Sequence, residues 1–95
     1  MLDFKWDRDK AAANLRKHRV SFVDAATVFK DTLSVTVPDP DHSEGEDRYI
    51  VVGQSAAGRL LIVSYVDRGG RIRIISAREL TRSERHDYED EAREW

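Results

Sequence analysis

The sequence predicts a single α+β domain. It has an antiparallel four-stranded sheet plus a short N-terminal strand, two helices packed on one sheet face and a C-terminal helix, in the order β-α-α-β-β-β-β-α. Three observations carry that expectation. Apolar residues recur at helical spacing early in the chain and again near its end. Between those blocks the pattern changes to period two. Turn signals at Ala57-Gly58 and Gly69-Gly70 then fold successive strands back on one another. A chain of 95 residues suits one domain, residues 1–95, with a modest core.

Taken in order, Phe4-Lys5-Trp6 alternates apolar and polar and reads as a short strand. Asp7 can cap a helix running from about Arg8 to His18 through Ala11-Ala12-Ala13, with Ala11, Leu15 and His18 on one face. Ser21-Phe22-Val23-Asp24 reads as a capping box in which aspartate replaces the usual glutamate. The helix it opens places Phe22, Ala25, Ala26 and Phe29 at i, i+3, i+4 and i+7, a stripe that belongs in the core. Residues 33–37 alternate as a strand that Pro38 stops, and residues 38–46 form an acidic loop. Residues 48–54 and the apolar run 60–66 are the next two strands. Asp67-Arg68-Gly69-Gly70 is a hairpin turn, and residues 71–77 pair back. Thr81-Arg82-Ser83-Glu84 is a second capping box. It starts a helix that carries Tyr88, Ala92 and Trp95 on one side.

Composition narrows the class. Hydrophobic residues make up 40% of the chain and charged residues 36%, enough apolar content for a core beneath a charged surface. There is no cysteine, which excludes disulfides and thiolate metal sites. The apolar runs fall far short of a bilayer span, and acidic residues interrupt the opening segment before any apolar block. A cytoplasmic protein with no membrane partner is expected.

The net charge of −2 conceals segregation. Residues 1–20 hold six Lys/Arg against three Asp, and residues 59–78 hold five Arg against one Asp. Residues 39–47 hold five acids and no base, and residues 79–95 hold seven acids against three Arg. If the two basic segments meet in the fold, they form one positive groove; otherwise they are solvated faces.

Chemistry concentrates in residues 71–78. Arg71 and Arg73 point to one side of a strand while Ile72 and Ile74 point to the other. The isoleucines belong in the helix-covered core, so the arginines stand on the open face, with Arg78 at the strand end. Forked guanidiniums on one surface suit a phosphodiester, although arginines paired with local acids are an equal reading. His18, at the end of the first helix, fits either a favourable dipole interaction or a proton shuttle. His42 lies in the acidic loop, and His86 is expected to face solvent. That loop fails as an EF-hand, because the positions that need Gly and Glu are Glu44 and Ile50. No metal site and no cofactor are expected.

Phe4-Lys5-Trp6-Asp7 with Lys10 and Asn14, then Lys17-His18-Arg19-Val20-Ser21-Phe22, resembles the opening of the BrnT toxin family. The resemblance continues in order through His42-Ser43 with Glu46 and Arg48, and Gly53-Gln54-Ser55 with Gly58-Arg59. It ends with residues 71–78, Glu84 and Tyr88-Glu89. It implies a RelE-like fold and a toxin of a type II toxin–antitoxin system: a metal-independent endoribonuclease that halts growth. It also implies a BrnA-like antitoxin that blocks the toxin and carries it to operator DNA, so that the complex represses its own operon. That complex is expected to be hetero-oligomeric, with two toxins and two antitoxins. On this reading Arg78, Arg73 and Arg48 stabilise the phosphorane. His18, His42 or Tyr88 moves protons, and Lys17, Arg59 and Arg71 bind RNA. Trp6 or Tyr65 offers a surface on which a base could stack, with core burial the competing expectation. The family usually has glycine after Lys-His, where this chain has Arg19, so that turn is expected either to differ or to carry strain. The alternative function is a non-catalytic interaction module acting as co-repressor in a similar complex.

Overall fold

In the computed structural model, which describes residues 2–39 and 47–93, the sheet has five strands, not four plus a separate one. Strand β1 (Asp3–Lys5) precedes helices α1 (Arg8–His18) and α2 (Phe22–Thr27), and α2 runs on into a 3-10 turn, Val28–Lys30. Strands β2 (Val35–Pro38), β3 (Arg48–Gln54), β4 (Leu60–Arg68) and β5 (Arg71–Glu79) follow, and helix α3 (Arg82–Arg93) closes the chain. The spatial order is β1-β5-β4-β3-β2. Strands β2 to β5 pair antiparallel as expected, but β1 adds to the β5 edge in parallel. A parallel neighbour requires a long crossover, which the rest of the domain supplies.

The core lies between one sheet face and the first two helices. Val51, Leu61, Val63, Ile72, Ile74 and Ala77 meet Val20, Phe22, Ala25 and Val28, all essentially solvent-free. Phe29 extends the core by packing edge-on to both Phe4 and Tyr65, with ring centroids 5.1 and 4.8 Å apart. Tyr49 stacks on the other side of Tyr65 at 5.8 Å. Tyr65 is therefore a core residue rather than a base platform, and burial pushes its phenol up from the ordinary value. Trp6, edge-on to Phe22, keeps 36% of its surface exposed.

The caps behave largely as the sequence predicts. The Asp7 side chain accepts from Lys10 N–H. In the first capping box Ser21 Oγ accepts from Asp24 N–H, but the Asp24 carboxylate does not return to Ser21. It accepts from Ala57 N–H instead, while Thr27 Oγ1 accepts from Ala56 and Asp31 Oδ2 from Gln54. Three side chains from residues 24–31 thus hold the β3–β4 turn. This docking accounts for Gly53, where a Cβ would come within 2.9 Å of Ser34 Cβ and 3.0 Å of Asp31 Oδ2.

On α1, Ala11 and His18 of the predicted face are half-buried, but the fully buried position is Asn14, whereas Leu15 is 49% exposed. Polar Asn14 wins the site through its hydrogen bonds. Its Nδ2 donates to the carbonyls of Val20 and Ala77, and its Oδ1 accepts from Ala77 N–H. Ala77 lies beyond the reach of the short β1, and the Asn14 amide satisfies that stretch of β5 edge. Arg19 adopts φ 60°, the one positive φ outside glycine among the described residues, and its N–H bonds to Leu15 C=O. The left-handed turn is kept, at a cost of about 1–2 kcal/mol for a residue with a Cβ. Strand β2 begins later than predicted and includes Pro38, which an edge strand tolerates. Strands β4 and β5 run on to a two-residue turn, Gly69-Gly70, with both φ angles positive.

Candidate functional site

The sheet face free of α1 and α2, called helix-free below although α3 stands over one end of it, is set by register. Arg48 on β3 and Arg73 on β5 are both direct partners of Val66 on β4, and Lys5 on β1 pairs with Arg73. Alternation places all four on the side opposite Tyr65 and Ile72. With strands about 4.8 Å apart, Arg48 and Arg73 start about 10 Å from each other with the small Val66 between them. Arg71 pairs with Arg68 and with Asp3 one step further along. Arg71 and Arg73 are exposed, Arg48 is half-buried, and Val66 is 3% exposed.

Arg78 reaches the same face for a different reason. Ser64 pairs with Ser76 but Tyr65 pairs with Ile74, so Ile75 is an extra residue in β5. Without this bulge, strict alternation would send Arg78 to the core side with Ile72 and Ile74. The bulge reverses the parity, leaving Ala77 buried and Arg78 opposite Ile62 on the helix-free side. The Ser64–Ser76 pair, which sequence analysis passed over, lies between the Arg73 row and Arg78. Lys5 and Arg68 were likewise missed. The alternation of Phe4-Lys5-Trp6 marks Lys5 as pointing away from the core, but only the parallel pairing brings it beside Arg73.

Arg78 is committed elsewhere. Its Nη1 and Nη2 donate to Glu84 Oε1 and Oε2 at 2.7 and 3.0 Å, and Nη1 also reaches the Glu79 carbonyl. The fork raises the Arg78 pKa and lowers the Glu84 carboxyl to about 2. Glu84 also completes the second capping box, accepting from Thr81 N–H while Thr81 Oγ1 accepts from Glu84 N–H. The fork thus joins β5 to the first turn of α3. Tyr88 on α3 donates its hydroxyl to the Leu33 carbonyl, and burial, with Asp31 nearby, raises its pKa. A phenol held protonated in this way does not serve as a base at neutral pH.

The remaining candidates lie elsewhere. Helix α1 packs along the β5 edge, where Asn14 bonds to Ala77, and Lys17 and His18 follow one turn later at the end of the helix. Arg59 joins them there, donating to Glu79 Oε1 and to the Arg19 carbonyl. The two basic segments of the sequence therefore meet at two places, Lys5 beside Arg73 and Arg59 on the Arg19 carbonyl, and not in one continuous groove. His42, and the Ala92 and Trp95 side chains, lie outside the described residues. His86 is exposed, 3.2 Å from Asp90. Among the described residues no cluster of three His, Asp or Glu side chains forms a metal-ligand set, and no helix is long and apolar enough to cross a membrane.

A small α+β domain that presents arginines on the sheet face opposite its first two helices belongs to the class able to grip phosphate groups by their oxygens. The particular family is given by comparison. The model described as "Ribonuclease toxin, BrnT, of type II toxin-antitoxin system" matches residues 6–84, and the chain belongs to that family. The crystal structure of the Brucella abortus ribonuclease toxin BrnT has the same fold, with a TM-score of 0.67 and 20% identity over 86% of this chain and 100% of that one. Among curated proteins no match was found.

Proposed function

We propose that this chain is a metal-independent endoribonuclease toxin with a RelE-like fold, whose helix-free sheet face holds the scissile phosphate. The observation that carries the reading is the row in which Arg48 and Arg73 flank Val66, with Lys5 alongside. Family membership supplies the substrate class. In the reaction the substrate 2′-oxygen bonds to the adjacent phosphorus as the P–O5′ bond breaks. The products are a 2′,3′-cyclic phosphate and a 5′-hydroxyl. Charge builds on the non-bridging oxygens, where guanidinium donors stabilise it more than in the ground state.

Arg48 and Arg73 take that role, and Arg71 holds a neighbouring phosphate. Arg78 contributes only if Glu84 releases it. Of the proton carriers named from the sequence, His42 is retained. His18, at the end of α1, is retained with it, and Tyr88, held as a neutral phenol, is not. Arg59, held by Glu79 and the Arg19 carbonyl, is not assigned to RNA. In the cell such activity arrests growth. A BrnA-like antitoxin neutralises it, and the assembled complex, with two copies of each chain, represses its own operon in the cytoplasm.

The decisive test is cleavage of a defined RNA by the purified chain, with mapping of the RNA ends. Arg48→Ala and Arg73→Ala should each lower the rate about 10²-fold, the size expected for one oxyanion donor, with unchanged circular dichroism. Activity should survive EDTA. Wild-type rates in the double variant, or loss of cleavage with EDTA, would remove the reading. Arg78→Ala, the obvious substitution from sequence, is less clean because it also unties α3.

A further inference from the structure

The half of the helix-free face away from Arg48 and Arg73 is apolar and unfilled. Strand β2 is the outer edge of the sheet, and all four of its residues are exposed. Its Val35 and Val37 remain 40% and 45% exposed, and Leu33 just before it is 72% exposed. Val35 pairs with Val52, which pairs with Ile62, so the apolar strip continues across three strands. Helix α3 stands over one end of it without filling the space beneath. A groove of about 230 Å³ is left between Val35, Val52, Ile62 and Leu80 on the sheet side and Glu84, Asp87 and Tyr88 on the helix side. Its floor is apolar and its rim carries carboxylates.

We infer that this strip and groove are the docking site of the antitoxin, and that they receive an amphipathic segment with a basic residue beside Asp87. The inference rests on the toxin–antitoxin reading of the family but uses none of the residues assigned to RNA. A contiguous apolar strip rimmed by charge is the signature of a protein interface. The partner class follows from the family, which is one half of a type II toxin–antitoxin system. Charge then selects among occupants. Glu84 is already forked by Arg78, whereas Asp87 has no ion-pair partner among the described residues. An RNA phosphate would meet a carboxylate rim, and a second copy of this chain would bring its own acidic helix to the same place. A basic, amphipathic segment meets neither objection. The outer backbone of β2 also leaves room for main-chain pairing by such a segment.

The experiment titrates the purified full chain with the purified antitoxin encoded beside it, by calorimetry. The Leu33→Asp/Val35→Asp double variant should weaken binding at least 100-fold, and Asp87→Lys about 10-fold. Arg48→Ala/Arg73→Ala should bind as tightly as wild type. Both substituted side chains in the first variant are exposed, and a thermal melt confirms that it folds. Asp87→Lys, on the helix surface, provides an independent reading if it does not. Binding within threefold of wild type by both groove variants overturns the inference. So does loss of binding in the arginine variant alone, which would put the antitoxin on the RNA row. A dimer of this chain alone that Leu33→Asp dissociates would assign the strip to a second copy instead. RNA cleavage by the same free variants is measured separately. Failure of the nuclease reading would appear as no cleavage by wild type, whatever the antitoxin titration shows.

Discussion

Single residues carry much of the coupling between the helices and the sheet. Asn14 satisfies both edge-facing backbone groups of Ala77 and the carbonyl of Val20 from a site only 7% exposed. Asn14→Ala leaves those groups buried without partners and is expected to cost about 2–4 kcal/mol, read as a lower midpoint in urea. That is a large share of the roughly 5–15 kcal/mol that holds a domain of this size. Arg19 works in the other direction. Its backbone is left-handed, and its carbonyl accepts a bond from Arg59 that glycine would keep. Arg19→Gly should therefore stabilise the fold by about 0.5–1 kcal/mol, after allowing for the greater freedom of glycine in the unfolded chain. A lower melting temperature in that variant would refute the strain argument. At Gly53 even a methyl group meets Ser34, Asp31 and Val28, and Gly53→Ala should destabilise by about 1–3 kcal/mol.

Among the elements, α3 is the one attached by polar ties instead of core packing. Its links to the sheet are the Arg78–Glu84 fork and the Tyr88–Leu33 bond, and its own turns add the Arg85–Glu89 and His86–Asp90 pairs. Because the Glu84 carboxyl is lowered from 4.5 to about 2, its contribution is fully present above the ordinary carboxyl range. It is lost as pH falls from about 4.5 toward 2. Amide protection in α3, relative to intrinsic exchange at each pH, should accordingly fall over that window while β3 and β4 stay protected. Glu84→Gln should remove the pH dependence and leave α3 poorly protected at neutral pH. A flat protection profile in wild type between pH 5 and pH 2 would mean that the fork does not anchor the helix. The same junction governs Arg78, since only a loosened α3 frees its guanidinium for a phosphate.

Across the whole molecule, the basic side chains fall in two regions. Arg48, Arg71 and Arg73 lie on the face free of α1 and α2, while Arg59 is tied to the end of α1 through the Arg19 carbonyl. One RNA strand crossing the first set would contact about three phosphates. The logarithm of affinity should then fall with the logarithm of salt at a slope of about −2, since each contact on a single strand adds about −0.7. Arg73→Ala should reduce that slope by about 0.7, whereas Arg59→Ala should leave it unchanged. Equal effects from the two variants would show that RNA uses both regions. A modest slope is in keeping with a net charge of −2, because binding depends on where the cations stand and not on their total.

The sequence by itself determined the elements. Period-two runs, helical stripes, capping residues and paired glycines are local signals, and each specifies a strand, a helix or a turn without reference to the rest of the chain. It also determined that Arg71 and Arg73 oppose Ile72 and Ile74, because alternation along one strand is equally local. Only the tertiary structure decided which strands are neighbours, and with that the company Arg73 keeps. Lys5 is beside it through a parallel pairing, and Arg48 is across Val66 through a register between distant residues. It also decided the side on which Arg78 emerges, because one extra residue at Ile75 inverts the parity of the strand. Pairing and parity are set by packing between segments far apart in the chain, and no window of sequence contains that packing.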